Sequence, residues 1–236
     1  MQVFVIIPAA GLGTRMATAG TARPAPKQFL ELNGQPILVL ALRTFLRVAA
    51  VHQIFVAVRK GEMQRVESQL REHGLLEKVS VVEGGDTRQE SVRNAMKSLT
   101  AQDDDIVLVH DAVRPLIDSA TIERTIESVS RHDAAIVAVP AVDTIKQVER
   151  TAEGAIISST IPRERIVLAQ TPQGFRFRLL RQAIEAAERD GFVGTDEASL
   201  VERLGIEVAV VMGSPKNLKI TQQGDLALAE FYLNQS

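Results

Sequence analysis

The sequence of 236 residues contains no cysteine and no tryptophan, and aromatic residues make up only 4% of it. Because there is no cysteine, disulfide bonds, thiolate metal sites and a cysteine nucleophile are excluded. The small number of aromatic rings argues against a stacking platform for single-stranded nucleic acid. With 45% hydrophobic and 24% charged residues, the composition is that of a globular protein.

The sequence also has little net charge and no long apolar run. Its 27 basic and 29 acidic residues give a formal charge of -2, so no basic excess is available for non-specific binding of nucleic acid. The longest apolar stretches, residues 3–13 and 134–142, are far shorter than the roughly 20 residues of a membrane span. No basic segment precedes the first of them. We therefore expect a cytoplasmic protein without a nucleic-acid or membrane partner.

Short runs of β-branched residues alternate with amphipathic segments along the chain. Continuous apolar runs of this length are typical of parallel strands that are buried on both faces of a sheet. Strands are predicted at residues 3–7, 54–58, 79–82, 106–109 and 135–139, and helices at 37–48, 61–73, 91–99 and directly after Asp118. This alternation predicts an α/β three-layer sandwich with a mostly parallel, Rossmann-like sheet. We expect one domain over residues 1–236.

The alternation breaks after Pro140. Residues 144–148 and 155–160 are predicted to be extended and to flank a turn at Glu153 and Gly154. Because the segment has too few large apolar residues for its own core, we expect residues 141–165 to form a β-hairpin arm that packs on the second subunit of a homodimer. The pattern then resumes with strands at 166–169 and 207–211 and helices at 177–189, near 195–197 and at 225–233.

Small residues follow the first predicted strand. They are Pro8, Ala9, Ala10, Gly11 and Gly13. At the carboxyl end of a parallel strand, such residues let backbone N–H groups approach a phosphate closely. Met16 replaces the third glycine of the dinucleotide fingerprint, and the Gly-Lys pair of a P-loop is also missing. This argues against a Rossmann dehydrogenase, and the alternative to a phosphate site is a turn that only joins strand to helix.

Two cations, Arg15 and Lys27, belong to the segment after this loop. Lys27 follows a proline, which would give a mobile charge on a rigid base. Together the two side chains could neutralise the charge on a phosphoryl group during its transfer. For Lys27 alone, the alternative is an ordinary solvated lysine.

Polar residues also follow the third predicted strand. Gly85, Asp86 and Ser91 could donate and accept hydrogen bonds with a nucleotide base. The alternative is a helix-capping turn in which Asp86 or Ser91 is the cap.

Asp111 comes directly after the fourth predicted strand. Its carboxylate could hold magnesium or bind a hydroxyl group, and Arg114 could pair with a phosphate. The alternative is a structural ion pair between Asp111 and Arg114. His110 is predicted to be a packed or hydrogen-bonded residue, because the four histidines lack metal spacing.

Eight motifs occur in order: the glycine loop that ends in Arg15 and Met16, and residues 26–28, 84–92, 110–115, 143–146, 169–173, 195–198 and 217–221. In this order they resemble the 2-C-methyl-D-erythritol 4-phosphate cytidylyltransferase family of the non-mevalonate isoprenoid pathway, over essentially the whole chain. The resemblance implies a nucleotide-diphospho-sugar transferase-like fold. It also implies that a phosphate oxygen of the polyol phosphate attacks the α-phosphate of CTP and releases pyrophosphate, with Mg²⁺ assisting.

The resemblance assigns a role to each candidate residue. Arg15 and Lys27 match the pair that stabilises the transition state, and Arg163 and Lys219 would orient the attacking phosphate. CTP would be bound by Pro8, Ala9, Ala10, Gly11, Gly13, Gly85, Asp86 and Ser91. The polyol phosphate would lie among Asp111, Ala112, Arg114, Thr144, Thr171 and Thr195. Arg163, on the arm, would reach the active site of the neighbouring subunit, so that the site would be shared.

Two alternatives to this function stay open. A ribitol 5-phosphate cytidylyltransferase would share the nucleotide half and differ in the polyol pocket. A non-catalytic nucleotide-binding regulator would keep the fold but lose at least one transfer residue. The segment of residues 17–26 is also longer than the family pattern leads us to expect. The longer loop could change how Lys27 closes over the triphosphate.

Overall fold

A computed structural model describes residues 1–11 and 29–235 of the chain. Its strands are β1 (Val3–Pro8), β2 (Glu31–Leu32), β3 (Gln35–Pro36), β4 (Val51–Val58), β5 (Val79–Glu83), β6 (Ile106–Val109), β7 (Ala134–Pro140), β8 (Ile145–Thr151), β9 (Gly154–Ile161), β10 (Val167–Arg176) and β11 (Ala209–Met212). Its helices are α1 (Ile37–Leu46), α2 (Met63–Glu72), α3 (Arg88–Met96), α4 (Ser119–His132), α5 (Phe177–Arg189), α6 (Glu197–Glu202) and α7 (Gln223–Leu233).

Seven of these strands form one sheet in the order β11-β7-β10-β6-β1-β4-β5. The pairs β1–β4, β1–β6, β4–β5 and β7–β11 are parallel, whereas β10 runs antiparallel to both β6 and β7. The prediction of a mostly parallel α/β sheet is therefore confirmed. Because β10 is reversed, its amino-terminal half meets the carboxyl ends of β1, β4, β5 and β6 at the same edge of the sheet.

Helices pack on both faces of the sheet through two apolar clusters, so that the fold has three layers. Val5 of β1 lies in one cluster with residues of α1, α2 and α4, and its neighbour Ile6 lies in the other with residues of α3, α5 and α6. Alternate side chains of a strand point to opposite faces, so a strand buried on both sides has an uninterrupted apolar sequence. β1 fits this rule, since all its residues from Val3 to Ile7 are buried.

Strand β10 differs most from the prediction. A strand was predicted only at residues 166–169, but β10 continues to Arg176. The pairing register with β7 shifts between Ala169 and Gln173, where Pro172 lies. A bulge lets a strand accommodate a proline without ending. The Thr-Pro-Gln-Gly sequence at residues 171–174 therefore lies inside β10, although its proline and glycine suggest the end of a strand.

The predicted arm is present as a hairpin of β8 and β9, which pair only with each other. Ile156 and Ile157 are 64% and 60% exposed. Since neighbouring residues of a strand point to opposite faces, neither face of this hairpin is covered by the rest of the described chain.

Candidate active site

The loop after β1 is held against the adjacent strand β4. The Ala9 N–H donates to the Ala57 carbonyl at 2.7 Å, and Arg59 Nε donates to the Ala10 carbonyl at 2.8 Å. Ala9 and Ala10 are buried, Pro8 is half-buried, and Gly11 is exposed. Gly11 therefore lies past the packed part of the loop, and a Cβ added to it would meet no atom of the described residues within 4 Å.

Three of the predicted nucleotide and transfer residues, Gly13, Arg15 and Lys27, lie outside the described residues. The long segment at residues 17–26 lies there too. Their roles remain predictions.

The loop at residues 84–87 packs directly on the loop after β1. A Cβ on Gly84 would lie 2.9 Å from Ala10 Cβ and 3.0 Å from Ser91 Oγ, so only glycine fits without displacing a neighbour. Ser91 is buried, and its hydroxyl accepts the Gly85 N–H at 3.0 Å and donates to the Thr87 carbonyl at 2.9 Å. The Ser91 hydroxyl therefore shapes the loop.

Helix α3 begins at Arg88, at the end of this loop, and its cap is Thr87. The Thr87 side chain accepts the Glu90 N–H at 3.1 Å, and the Glu90 carboxylate accepts the Thr87 N–H at 2.9 Å. This reciprocal pair is a capping box. The turn therefore does cap the helix, as the alternative to a base-binding loop predicted, but through Thr87 and Glu90 and not through Asp86 or Ser91. Asp86 is exposed and stays available to a ligand.

Asp111 is the centre of a group of charged side chains beside these loops. Its carboxylate lies 2.9 Å from Lys219 Nζ, 3.4 Å from Arg114 Nε and 3.4 Å from Arg88 Nη2. We call Asp111 with these three cations the Asp111 cluster. Burial alone would raise the pKa of the Asp111 carboxyl, but Arg88, Lys219 and Arg114 outweigh this and hold it well below its usual range.

His110 lies at the end of β6 beside the cluster, and it is packed and hydrogen-bonded, as the sequence predicted. It is fully buried against the Phe45 ring, and its Nε2 lies 3.0 Å from the Arg114 carbonyl. A carbonyl can only accept, so Nε2 carries the proton and Nδ1 accepts from the Thr171 hydroxyl at 2.9 Å. Burial lowers the pKa of this imidazole to about 4.

Thr171 thereby has a different use from the predicted one. Its hydroxyl proton is directed at His110, and its oxygen accepts the Asp111 N–H at 3.0 Å. The side chain is buried and joins β10 to the end of β6. In this arrangement, Thr171 orients Asp111 through the backbone and has no hydroxyl proton left for a phosphate.

A second connection comes from Asn217. Its side-chain amide donates to the Thr171 backbone carbonyl at 2.8 Å, and its backbone carbonyl accepts from Arg114 Nη1 at 2.7 Å. These bonds place Lys219 beside Asp111. Arg114 is buried and bonded to Asp111 and Asn217, which matches the structural ion pair that was the alternative to a phosphate-binding role. Ala112 lies in the apolar core.

One ion pair at the site was not predicted. Arg88 Nη1 bonds both carboxylate oxygens of Glu197, which is 1% exposed. Burial raises the pKa of Glu197, and Arg88 opposes this shift. Arg88 lies in the motif at residues 84–92, and Glu197 lies in the motif at residues 195–198. The sequence does contain a signal for this pair, because Glu197 begins an apolar helical stretch. A glutamate that is buried there needs a cation as its partner.

The remaining predicted substrate residues lie at the rim. Lys219 is 42% exposed, so its ammonium can bind Asp111 and still face a ligand. Thr195 is exposed just before α6, whose cap is Asp196. Thr144 is exposed at the base of the arm, where Arg163 Nη1 donates to the Val142 carbonyl at 2.8 Å. Within the part of the chain that the structure describes, no hydrogen bond or ion pair links Arg163 to the Asp111 cluster.

The surroundings of Asp111 do not fit a resident magnesium ion. Three cations already face this single carboxylate, and they would repel a divalent ion. Within residues 1–11 and 29–235, no three acidic or imidazole side chains are grouped as metal ligands. The expectation that Asp111 binds the metal therefore has no geometric support.

An open α/β sheet with small-residue loops and a cationic cluster at the carboxyl edge is the arrangement typical of nucleotide-binding α/β enzymes. The model of the IspD family, 2-C-methyl-D-erythritol 4-phosphate cytidylyltransferase, matches residues 3–235. The chain belongs to this family, which makes it a CTP-dependent nucleotidyltransferase.

Individual relatives agree over the full length. The chain is 63% identical to the 2-C-methyl-D-erythritol 4-phosphate cytidylyltransferase of Acidobacterium capsulatum, with 100% of this chain and 98% of the relative covered. It is 48% identical to that of Solibacter usitatus, with 100% and 97% covered. Among solved structures, the Francisella tularensis enzyme is 37% identical with a TM-score of 0.80, and 98% and 99% of the two chains are covered. The enzyme of Thermus thermophilus is 34% identical with a TM-score of 0.79, covering 99% and 100%.

Proposed function

We propose that this chain transfers the cytidylyl group of CTP to 2-C-methyl-D-erythritol 4-phosphate at the sheet edge described above. A phosphate oxygen of the polyol phosphate forms a bond to the α-phosphorus of CTP. The bond from that phosphorus to the bridging oxygen breaks, and its electron pair leaves with pyrophosphate. The reaction needs alignment and charge neutralisation and no covalent intermediate. The observation that carries the proposal is the half-exposed Lys219 ammonium, held 2.9 Å from buried Asp111 beside the two glycine loops.

The nucleotide half would be formed by the two packed loops. Pro8 at the end of β1 and Ala9, Ala10 and Gly11 after it present their backbone, and Gly85 and Asp86 present the edge of the 84–87 loop. Ser91 acts from beneath through its bonds to Gly85 and Thr87. Gly13, Arg15 and Lys27 are proposed to continue this half over the triphosphate, where the two cations would stabilise charge in the transition state.

The polyol-phosphate half would be formed by the Asp111 cluster and the rim. Lys219 and Arg163 are proposed to face the phosphate together with Thr144 and Thr195. Asp111 is suited to accept hydrogen bonds from polyol hydroxyl groups because its carboxylate stays ionised.

Magnesium is proposed to enter with CTP. Mg²⁺ keeps several waters and takes one or two carboxylates plus phosphate oxygens in most nucleotide sites. The oxygens of the triphosphate can supply most of that shell. The three cations around Asp111 disfavour a metal ion at that carboxylate, which supports a metal bound by the nucleotide instead.

The arm is proposed to make a homodimer with a shared site. A two-stranded hairpin is marginally stable by itself in water, and this one exposes Val148, Ile156 and Ile157. Packing against a second copy would cover these side chains and bring Arg163 to the neighbouring site. None of the described helices is long and apolar enough to cross a membrane, and a cytoplasmic location is part of the proposal.

Pyrophosphate release tests the proposal directly. Purified protein is incubated with CTP and Mg²⁺ and either methylerythritol phosphate or ribitol 5-phosphate. We expect rapid release with the first and little with the second. A preference for ribitol 5-phosphate would overturn the substrate assignment, and no release with either would leave the nucleotide-binding regulator as the better account.

A further inference from the structure

Arg88 joins the two halves of the site. It is the first residue of α3, directly after the loop proposed to take CTP. Its Nη1 bonds the Glu197 carboxylate, and its Nη2 lies 3.4 Å from Asp111 Oδ1. The contact to Asp111 exceeds the usual 2.7–2.9 Å of a charge-assisted hydrogen bond, so it acts mainly through charge. Glu197 is thus the anchor of the guanidinium, and Asp111 is the group it influences.

The anchor is rigid. Glu197 is buried at the start of α6, where an ionised carboxylate requires a cation. The neighbouring residue Gln89 fastens the same segment, since its amide donates to the Phe192 carbonyl at 3.3 Å and accepts the Gly194 N–H at 3.0 Å. The guanidinium of Arg88 therefore has little freedom to move relative to the sheet.

The two oxygens of Asp111 face different cations. Oδ1 faces Arg88, whereas Oδ2 faces Lys219 and Arg114. Without Arg88, Oδ1 would be free to turn toward Lys219 and Arg114. Lys219 would then bind the carboxylate more tightly and have fewer N–H groups for a phosphate, because an ammonium has only three donors.

We propose that Arg88 is a positioning residue for the polyol phosphate: held by Glu197, it keeps one oxygen of Asp111 away from Lys219, so that the Lys219 ammonium stays available to the substrate. Arg88 acts through Asp111 and does not touch the reacting atoms. The inference rests on the proposed function, because it takes Lys219 to be a phosphate ligand.

The test separates this role from a merely structural one. Arg88→Met alone leaves Glu197 as an unpaired buried charge and is expected to fold poorly. The double variant Arg88→Met with Glu197→Gln removes both charges and keeps similar volumes. Arg93→Met is the matched control, since Arg93 lies on the same helix and pairs with Glu188 of α5 away from Asp111. Arg88→Lys keeps a charge for Glu197 but lacks the planar fork that reaches two carboxylates.

The measurements are KM for each substrate, kcat, and calorimetric affinity for methylerythritol phosphate. For the double variant and Arg88→Lys, we expect KM and Kd for the polyol phosphate to rise roughly 10- to 100-fold, as displaced positioning groups cause, while KM for CTP changes less than about threefold. Arg93→Met should keep the parental values of both KM constants.

Two results would overturn the inference. One is a folded double variant with parental KM and Kd for the polyol phosphate, and the other is an equal loss for both substrates. If the parent chain releases no pyrophosphate, the proposed function fails, and the calorimetry still decides the role of Arg88. Unchanged or absent binding of the polyol phosphate then counts against it.

Discussion

Protonation of His110 should weaken the fold in mild acid by an amount that can be worked out. The imidazole has an ordinary pKa of 6.5, and burial lowers it to about 4 in the folded chain. Between these values the unfolded chain binds a proton that the folded chain does not, so stability rises with pH in this window and is lost as pH falls. At roughly 1.4 kcal/mol per pKa unit, going from about pH 7.5 to about pH 4.5 removes roughly 2–3 kcal/mol. This is a large part of the 5–15 kcal/mol of a typical domain.

The variant His110→Gln isolates this contribution. Its amide can still donate to the Arg114 carbonyl, but it does not titrate. We expect it to be less stable than the parent at neutral pH, with a difference in the free energy of unfolding that narrows by roughly 2–3 kcal/mol down to about pH 4.5. Urea unfolding across this range measures the gap, and carboxylates shared by both proteins cancel in the difference. His132→Gln controls for the loss of an exposed imidazole. Parallel stability curves for parent and His110→Gln would refute a neutral, buried His110.

Three further substitutions test the proposed site. Lys27→Ala should lower kcat by roughly 100-fold while KM for CTP changes less, because the contact strengthens in the transition state; steady-state kinetics would exclude that role if kcat stayed the same. Arg163→Ala should raise KM for the polyol phosphate, and mixed dimers with the Lys27→Ala variant should regain activity, which they would not if each subunit had a complete site. Gly84→Ala places a Cβ 2.9 Å from that of Ala10 and should cost about 1–3 kcal/mol of stability and raise KM for CTP. Gly61→Ala is its control, because the added Cβ meets no atom within 4 Å in the part of the chain that the structure describes. Equal effects of the two substitutions would contradict the close packing of the loops.

The layer architecture could be predicted because the elements that build it have strong local patterns. β1 is an unbroken apolar run, and α4 begins after Asp118, whose side chain accepts the Thr121 N–H at 2.7 Å. β10 could not be predicted to its full length. Its continuation through Pro172 depends on β6 and β7 lying on either side, and no local sequence signal reports that pairing.

The candidate site was predictable in its membership more than in its contacts. The motifs placed Asp111 and Lys219 in one pocket, and the structure puts them 2.9 Å apart although 108 positions separate them in the sequence. Pairing between Arg88 and Glu197 was not predicted, because the choice between a solvated and a buried charge depends on how α3 and α6 pack. The same holds for Ser91 and Thr171, whose hydroxyl groups were predicted to face ligands but bond within the protein.

The charge balance of the pocket has a consequence for binding in solution. Among the described residues in direct ion-pair contact, three cations, Arg88, Arg114 and Lys219, face the two carboxylates of Asp111 and Glu197. The ion pairs themselves therefore leave one cation in excess, and Asp196 acts on Arg88 only through charge. A phosphate dianion entering there meets an attractive field that dissolved salt weakens. At the proposed site we therefore expect inorganic sulfate and phosphate in a buffer to compete with the polyol phosphate, and its association rate to fall as ionic strength rises.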